Sequence, residues 1–386
     1  MNTKKATFIR ITAFVLFIAT SAGLVTVFKE PFRHLCTEIV VLAAKSYLPV
    51  YSFLSEGDEN ITADTSAQDV SVSQAVTVST TEESVTVQKV NKQVGLTDSL
   101  TVTDKDIKEL IEKAKKTSAD HIKDGDISEY KYVNDSVTDS FGRVKVKNTN
   151  KTGIDIEKKL KEKPDLSVSK EKPSVLIFHS HTTETYQLLD RGFYETGFMT
   201  RSNDNGRNMV RVGKAIAGQI EKAGFRVIHD TSVYDSKYSG AYSRSRKGAE
   251  EALKKYPSIQ VVLDIHRDAI QRTDGTKIKP TAKINGKKAA QIMIISGCQE
   301  EGNGITNLPD WKYNLTFAVH LQDKLEELFE GITRPLYFCP RSYNMNLTHC
   351  SLLVEVGSDA NTLEEAVYTG KCIGVAVSEI LKKYEE

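Results

Sequence analysis

The chain has 386 residues, which is long enough for two domains, although its composition favours one large core. Its 52 Lys and Arg residues balance 51 Asp and Glu residues, so there is no overall positive field to attract nucleic acid or an anionic membrane. The five cysteines are odd in number and lack C-x-x-C spacing, which excludes a zinc ribbon and a complete disulfide framework. We expect mostly buried free thiols, with a Cys339–Cys350 pair as the alternative.

The N-terminal segment predicts a membrane anchor. Residues 11–28 carry no charge and are long enough to cross a bilayer as a helix. Basic residues that include Lys4 and Lys5 precede this segment, which favours a cytoplasmic N-terminus and an outward-facing remainder of the chain. We therefore assign residues 1–30 to a cytoplasmic tip and transmembrane anchor. A cleaved signal peptide with its cleavage site near 19–23 is the alternative.

Two further segments precede the core. Residues 31–100 combine a juxtamembrane stretch with a spacer rich in Ser, Thr, Val and acidic residues, which predicts a flexible linker. Residues 101–172 are polar and lysine-rich, and they begin with a helix predicted at 103–116 from its apolar face. We treat 101–172 as an approach subdomain, and its residue spacing indicates no function.

Residues 173–386 predict an α/β domain. Short apolar runs alternate there with amphipathic helices, which is typical of a largely parallel twisted sheet with helices on both faces. The predicted strands lie near 174–179, 225–229, 259–265, 290–296, 334–338 and 351–356. The predicted helices lie near 206–223, 241–256, 312–330 and 361–383.

Two of these apolar runs end in residues that can bind a metal ion. His181 and Glu184 follow the run V-L-I-F, and His266 ends the run V-V-L-D-I. Ligands gather at the carboxyl ends of the strands in open α/β sheets, so these side chains can converge. Two imidazoles and a carboxylate suit a catalytic zinc that keeps one position open for water. His179 is the alternative ligand, and Asp264 is placed to accept a hydrogen bond from the imidazole of His266.

Glu355 lies in a third run, S-L-L-V-E-V-G, where an isolated carboxylate is costly to bury. A buried ion pair, for example with Arg267, is one explanation. The other is general-base catalysis, in which the carboxylate takes a proton from water and returns it to a leaving amine. With the metal ligands, that explanation predicts hydrolysis of an amide. Cys298 with a histidine base is an alternative nucleophile, and His349 is a candidate for the wall of the cleft.

The motifs H-S-H-T-T-E-T-Y, D-I-H-R-D and L-V-E-V-G-S-D-A-N-T together resemble the stage II sporulation protein P family, from about residue 174 to the C-terminus. The resemblance implies a zinc-dependent N-acetylmuramoyl-L-alanine amidase, also described as a peptide-bridge endopeptidase, that hydrolyses peptidoglycan during forespore engulfment. By motif, it makes His181 and His266 zinc ligands and Glu355 the active-site glutamate. The broader amidase group has a zinc glutamate where this chain reads N-D-N-G-R-N-M-V, with Asn205 near the expected place. Glu184 is therefore our candidate for the third ligand.

The resemblance also implies partners and a location. Members of the family act beside stage II sporulation protein D, a lytic transglycosylase, and stage II sporulation protein M, a membrane protein. We expect a single-pass protein of the cell membrane whose catalytic domain meets peptidoglycan in the intermembrane space of the sporulating cell. The competing functions are a wall-binding scaffold that has lost its metal and a Cys-His peptidase that uses Cys298.

Overall fold

The computed structural model describes residues 99–117 and 122–386. The predicted anchor at 1–30 and nearly all of the predicted linker at 31–100 lie outside these ranges. Within them, no helix combines the length and the hydropathy that crossing a membrane requires.

The described residues form helices and strands that alternate along most of the chain. The strands are β1 (Lys123–Tyr130), β2 (Asp139–Phe141), β3 (Val144–Asn148), β4 (Pro173–Phe178), β5 (Phe193–Glu195), β6 (Arg226–His229), β7 (Val261–Asp268), β8 (Lys277–Ile284), β9 (Lys287–Ala290), β10 (Ile292–Gly297), β11 (Leu336–Cys339) and β12 (Cys350–Ser358). The helices are α1 (Lys105–Thr117), α2 (Ile156–Lys161), α3 (Met209–Lys222), α4 (Ala241–Lys255), α5 (Trp311–Leu328) and α6 (Leu363–Lys383).

In the described part of the chain, the larger sheet has eight strands in the order β2-β3-β11-β10-β12-β7-β4-β6. Strands β12, β7, β4 and β6 are parallel to one another, and strands β3, β11 and β10 form a second parallel block. The two blocks run in opposite directions because β10 and β12 pair antiparallel. The predicted α/β class is confirmed, but the sheet is mixed rather than parallel across its whole width.

The smaller sheet, in the order β5-β1-β8-β9, was not predicted from the sequence. Its strands are short or polar, as in K-D-G-D-I-S-E-Y for β1, so they contain no apolar run from which a strand could be predicted. The segment 101–172 supplies β1 to this sheet, and it supplies β2 and β3 to one edge of the larger sheet. By contrast, each strand and helix predicted between 173 and 386 is present, with its ends displaced by a few residues.

Strand β4 shows how helices come to cover both faces of the larger sheet. Its side chains alternate between the faces because the period of a strand is two residues. Val175 and Ile177 belong to the main core, which also contains side chains of α3 and α6. Leu176 and Phe178 pack on the opposite face with Ala249 of α4. Full burial of side chains of this size contributes about 1.5–3 kcal/mol each, which fixes the strand between its helices.

Helices α3 and α6 pack closely over the main core. A Cβ atom at Gly374 would lie 2.5 Å from the carbonyl oxygen of Ile216, so only glycine permits this approach. Helix α6 begins with a capping box, in which Thr362 and Glu365 each accept the backbone N–H of the other. The side chain of Asn208 accepts the N–H of Val210 at the start of α3. These caps fix where the two helices begin beside the carboxyl ends of β4 and β12.

Strands β12 and β7 bring two predicted site residues side by side. Glu355 is paired with His266 in their parallel register, so both side chains leave the same face of the sheet. The register then shifts before Ser358 pairs with Asp268, and Gly357 within this irregularity has φ of +64°. A β-bulge with a left-handed residue explains the glycine of V-E-V-G.

Candidate metal centre

His181 leaves the end of β4 through a tight turn that is anchored on β7. The N–H of Ser180 donates to Asp264 Oδ1 at 2.8 Å, and its hydroxyl donates to Asp264 Oδ2 at 2.6 Å. The hydroxyl of Thr182 donates to the carbonyl of His179 at 2.8 Å. This turn replaces the extended backbone that would have directed His179 and His181 to the same side.

The structure brings His181, Glu184 and His266 together as a buried group. Their potential ligand atoms all lie within 4.8 Å of one another. His181 Nδ1 lies 3.4 Å from Glu184 Oε1, and His266 Nδ1 lies 3.9 Å from Glu184 Oε2. Ligand atoms of a tetrahedral zinc are separated by about 3.3 Å, given metal–ligand distances of about 2.0–2.2 Å. The group therefore has nearly the dimensions of a zinc site with three protein ligands.

Glu184 is ionised in this environment. Burial alone raises the pKa of its carboxyl group, but Arg267 and the two histidines outweigh burial and lower the pKa to about 2. The backbone N–H of Arg267 also donates to Glu184 Oε2 at 3.3 Å. A carboxylate that keeps its charge at neutral pH is the form that binds a metal cation.

Asp264 lies beside His266, but the hydrogen bond that the sequence predicts between them is not made. Asp264 Oδ1 lies 2.8 Å from His266 Nε2, outside good hydrogen-bonding angles, so the contact acts mainly through charge. Burial lowers the pKa of the imidazole. The carboxylates of Asp264 and Glu184 have the larger, opposite effect, so the pKa is raised to about 9. With Nε2 turned to Asp264, the Nδ1 atom of His266 faces Glu184. This support of an imidazole by a carboxylate is typical of metal sites.

Glu355 is the partly exposed neighbour of this group. Burial, together with the charges of Asp268 and Glu184, raises the pKa of its carboxyl group to about 8. Among the described residues, its Oε2 atom is buried without a hydrogen-bond partner. The ion pair with Arg267, one of the two explanations of the buried carboxylate, does not form, because the guanidinium instead donates to the carbonyl of Thr185 and approaches Glu184. A carboxyl group with one unpartnered oxygen therefore lies beside His266.

His179, the alternative ligand, lies in a separate histidine pair. Its Nδ1–H donates to the carbonyl of Ile265 at 2.9 Å, and its Nε2 lies 3.0 Å from His229 Nε2. A carbonyl can only accept, so the unprotonated Nε2 of His179 accepts from His229. Burial lowers the pKa of His179 to about 4, and burial together with His179 lowers the pKa of His229 to about 3. Both rings are neutral and structural.

Three other residues considered in the sequence lie outside the group. Cys298 is buried and its pKa is raised to about 11 by burial, which opposes a thiolate nucleophile. His349 lies before β12, at the opposite end from Glu355, where it contacts Asp165. Asn205 accepts a hydrogen bond from Asn208 at the start of α3. The four cysteines in the described residues, Cys339 and Cys350 among them, are free thiols.

Sequence reasoning missed an aromatic and basic rim around the group. Tyr238 stacks on His181 with ring centroids 4.9 Å apart, and Tyr242 lies parallel to His266 at 6.0 Å. Arg201 Nη2 approaches Glu184 to 3.6 Å. These residues come from loops and from the first turn of α4, where no apolar run directs attention to them. The four-residue spacing of Tyr238 and Tyr242 was the one feature of the sequence that could have indicated that the two rings lie on the same side.

The fold and the residue group define an α/β protein with a candidate metal centre of two histidines and one carboxylate. A family model described as stage II sporulation protein P matches residues 59–378. This match covers most of the 386 residues, and the chain belongs to the stage II sporulation protein P family. The resemblance carried by the three sequence motifs is thereby confirmed.

A curated relative has the same description. Stage II sporulation protein P of Bacillus subtilis (strain 168) is 27% identical over 214 residues, which are 52% of this chain and 49% of the relative. This chain therefore spans about half the length of the relative that it matches.

Similar solved structures include three proteins named as amidases. N-acetylmuramoyl-L-alanine amidase AmiC2 of Nostoc punctiforme has 11% identity and a TM-score of 0.32, with 56% of this chain and 98% of that chain covered. The CwlD amidase of Clostridioides difficile, in complex with the GerS lipoprotein, has 14% identity and a TM-score of 0.33 over 55% and 98%. N-acetylmuramyl-L-alanine amidase Ami1 of Mycobacterium smegmatis has 12% identity and a TM-score of 0.31 over 56% and 100%.

Proposed function

We propose that this chain is a zinc-dependent peptidoglycan hydrolase that cleaves the amide bond between N-acetylmuramic acid and L-alanine during sporulation. The observation that carries the proposal is the buried group of His181, Glu184 and His266, with Glu355 beside it. Membership of the stage II sporulation protein P family supports the substrate and the process.

The donor set fits zinc. His181, Glu184 and His266 would hold the ion, since they offer two imidazole nitrogens and one ionised carboxylate at suitable separations. When bound, zinc supplies a Lewis acid that polarises a carbonyl and lowers the pKa of water. Asp264 and Arg267 act through the ligands. The charge of Asp264 lies against His266 Nε2, and Arg267 keeps Glu184 charged.

Glu355 is the proposed general base and acid. Its Oε2 atom takes a proton from the attacking water as the oxygen bonds to the lactyl carbonyl carbon. The same proton then passes to the alanine nitrogen as the carbon–nitrogen bond breaks, so that a carboxylic acid and an amine are released. A carboxyl group whose pKa is raised to about 8 exchanges protons readily near neutral pH.

The setting of the reaction is part of the proposal. The uncharged stretch at 11–28 supports a single membrane anchor with the catalytic domain on the outer side, in the intermembrane space. Family membership supports action beside stage II sporulation proteins D and M, and a second cut in the peptide bridges.

The test is digestion of purified peptidoglycan by the full-length protein, with mass analysis of products and of bound metal. We expect bound zinc, products with a free muramic acid carboxylate and a free alanine amine, and loss of activity with a chelator. Glu355→Gln should retain zinc and lose about 10²–10⁴-fold in rate. Cys298→Ala is the control and should keep full activity. Protein that lacks zinc and digests the wall unaffected by chelator contradicts the proposal.

A further inference from the structure

Arg201 lies at the edge of the candidate metal centre and has no role in the reaction proposed above. Its Nη1 atom forms an ion pair with Asp235 and lies 3.3 Å from the hydroxyl of Thr183. The Asp235 carboxylate is buried, and it also accepts from the hydroxyl of Thr183 at 2.6 Å and from the backbone N–H of Thr183 at 3.1 Å. One side of the guanidinium is therefore held in a fixed position.

The other side of the guanidinium faces the metal group and solvent. Its Nη2 atom lies 3.6 Å from Glu184 Oε1, beyond hydrogen-bonding range, and 36% of the Arg201 side chain is exposed. The exposed ring of Tyr238 lies 5.3 Å from the guanidinium carbon and stacks on His181. A guanidinium has five N–H donors in a planar fork, so the pair with Asp235 leaves donors for an anion from solution.

We propose that Arg201, supported by Tyr238, forms an anion-binding subsite that recognises the free carboxylate of the stem peptide nearest the scissile bond. This inference rests on the proposed cleavage of the bond between N-acetylmuramic acid and L-alanine. In peptidoglycan the residue after that alanine is D-glutamate, which is joined through its side-chain carboxyl group. Its α-carboxylate is thus free, or it is amidated. Arg201 makes the enzyme prefer the free carboxylate.

The dimensions of the peptide fit this placement. Consecutive α-carbons lie about 3.8 Å apart, so the glutamate α-carboxylate lies about 7 Å from the scissile carbonyl carbon in an extended peptide. The ligand atoms of His181, Glu184 and His266 lie within 4.8 Å of one another, and Arg201 Nη2 lies 3.6 Å from one of them. A peptide whose scissile carbonyl lies over the metal group therefore reaches Arg201 with this carboxylate.

The test is the affinity of two ligands for the full-length Glu355→Gln protein, in which turnover is blocked. The ligands are N-acetylmuramoyl-L-alanyl-D-glutamate and the same molecule with the α-carboxylate amidated, measured by calorimetry. Charge-assisted hydrogen bonds are stronger than neutral ones, so we expect the carboxylate form to bind about tenfold more tightly. Adding Arg201→Gln should remove the preference, and adding Arg201→Lys should leave part of it because lysine lacks the fork.

Arg226→Gln is the matched control, since it removes the same charge from an exposed arginine at the start of β6, away from the metal group. It should keep the full preference. Equal affinity for the two ligands in the Glu355→Gln protein overturns the inference, as does no binding of either. A preference that persists in Arg201→Gln also overturns it. None of these results depends on cleavage, so failure of the proposed function would be seen separately, as intact peptidoglycan after incubation with the wild type.

Discussion

Two histidine pairs, buried except for the half-buried His229, lie close together in this protein and have opposite chemistry. His181 and His266 share the carboxylate of Glu184, and the pKa of His266 is raised to about 9. His179 and His229 have each other and a backbone carbonyl as partners, and their pKa values fall to about 4 and about 3. Burial lowers the pKa of the rings in both pairs, so the neighbouring carboxylates determine which pair favours a bound cation.

Removing one histidine from each pair tests the difference between them most directly. His266→Ala should lose zinc affinity by more than the 10–100-fold that is typical for a residue that only supports a ligand, and activity should be lost with it. His229→Ala should keep its zinc. Metal content after dialysis against a competing chelator measures both. Equal zinc loss in the two variants would contradict the distinction between a metal pair and a structural pair.

Asp264 tests whether the carboxylate partner matters beyond the ligands themselves. Asp264→Asn removes the charge 2.8 Å from His266 Nε2 and weakens the anchor of the turn at Ser180. We expect zinc affinity to fall about 10–100-fold, as measured by competition with a fluorescent chelator. Asp165→Asn, which changes the carboxylate beside the remote His349, is the matched control and should leave affinity unchanged.

The pH dependence of stability in the metal-free protein should differ in sign between the pairs. The folded state binds a proton at His266 between pH 6.5 and about 9, so this residue's contribution to stability is lost as pH rises through that window. His179 stays neutral while the unfolded chain is protonated, so its contribution is lost as pH falls from 6.5 to about 4. Thermal unfolding from pH 4 to 9 should show a flatter alkaline side in His266→Gln and a flatter acidic side in His179→Gln. Unchanged slopes on those sides would contradict the assignment.

The smallest expected effect concerns the packing around the structural pair. A Cβ atom at Gly213 of α3 would lie 2.5 Å from His229 Nε2 and 2.6 Å from His179 Nε2. Gly213→Ala should therefore destabilise the fold by about 1–3 kcal/mol, as overpacking does. Gly218→Ala in the same helix meets nothing within 4 Å and should stabilise it by about 0.5–1 kcal/mol. The free energy of unfolding of both variants is measured with a denaturant. A stabilised Gly213→Ala would show that the histidine pair is loosely packed.

Much of the candidate metal centre could be predicted from the sequence because its position follows from a local rule. His181 and His266 stand at the ends of apolar runs, and runs of that kind become adjacent parallel strands whose carboxyl ends meet. The separation of His179 from His181 was not predictable in this way. It depends on the turn that Asp264 stabilises from another strand.

The parts that escaped prediction depend on long-range pairing. The antiparallel contact of β10 with β12 cannot be inferred from either run alone, because both are apolar and buried on both faces. Strand β8 does show alternation, with Ile278, Ala282 and Ile284 buried. Pro280 and several lysines lie between these residues, so the sequence does not read as an apolar strand. Arg201 and Tyr238 lie in loops, and only the folded sheet brings them to His181.

The position of β12 has a consequence for the order in which the larger sheet can form. This strand lies between the two parallel blocks of the larger sheet, yet it comes from residues 350–358 of 386. Until that segment has left the ribosome, the halves of the sheet are not joined and Glu355 cannot lie beside His266. The strand that joins the two blocks is therefore also the last strand of the larger sheet to be synthesised, so neither block can complete the candidate site before it.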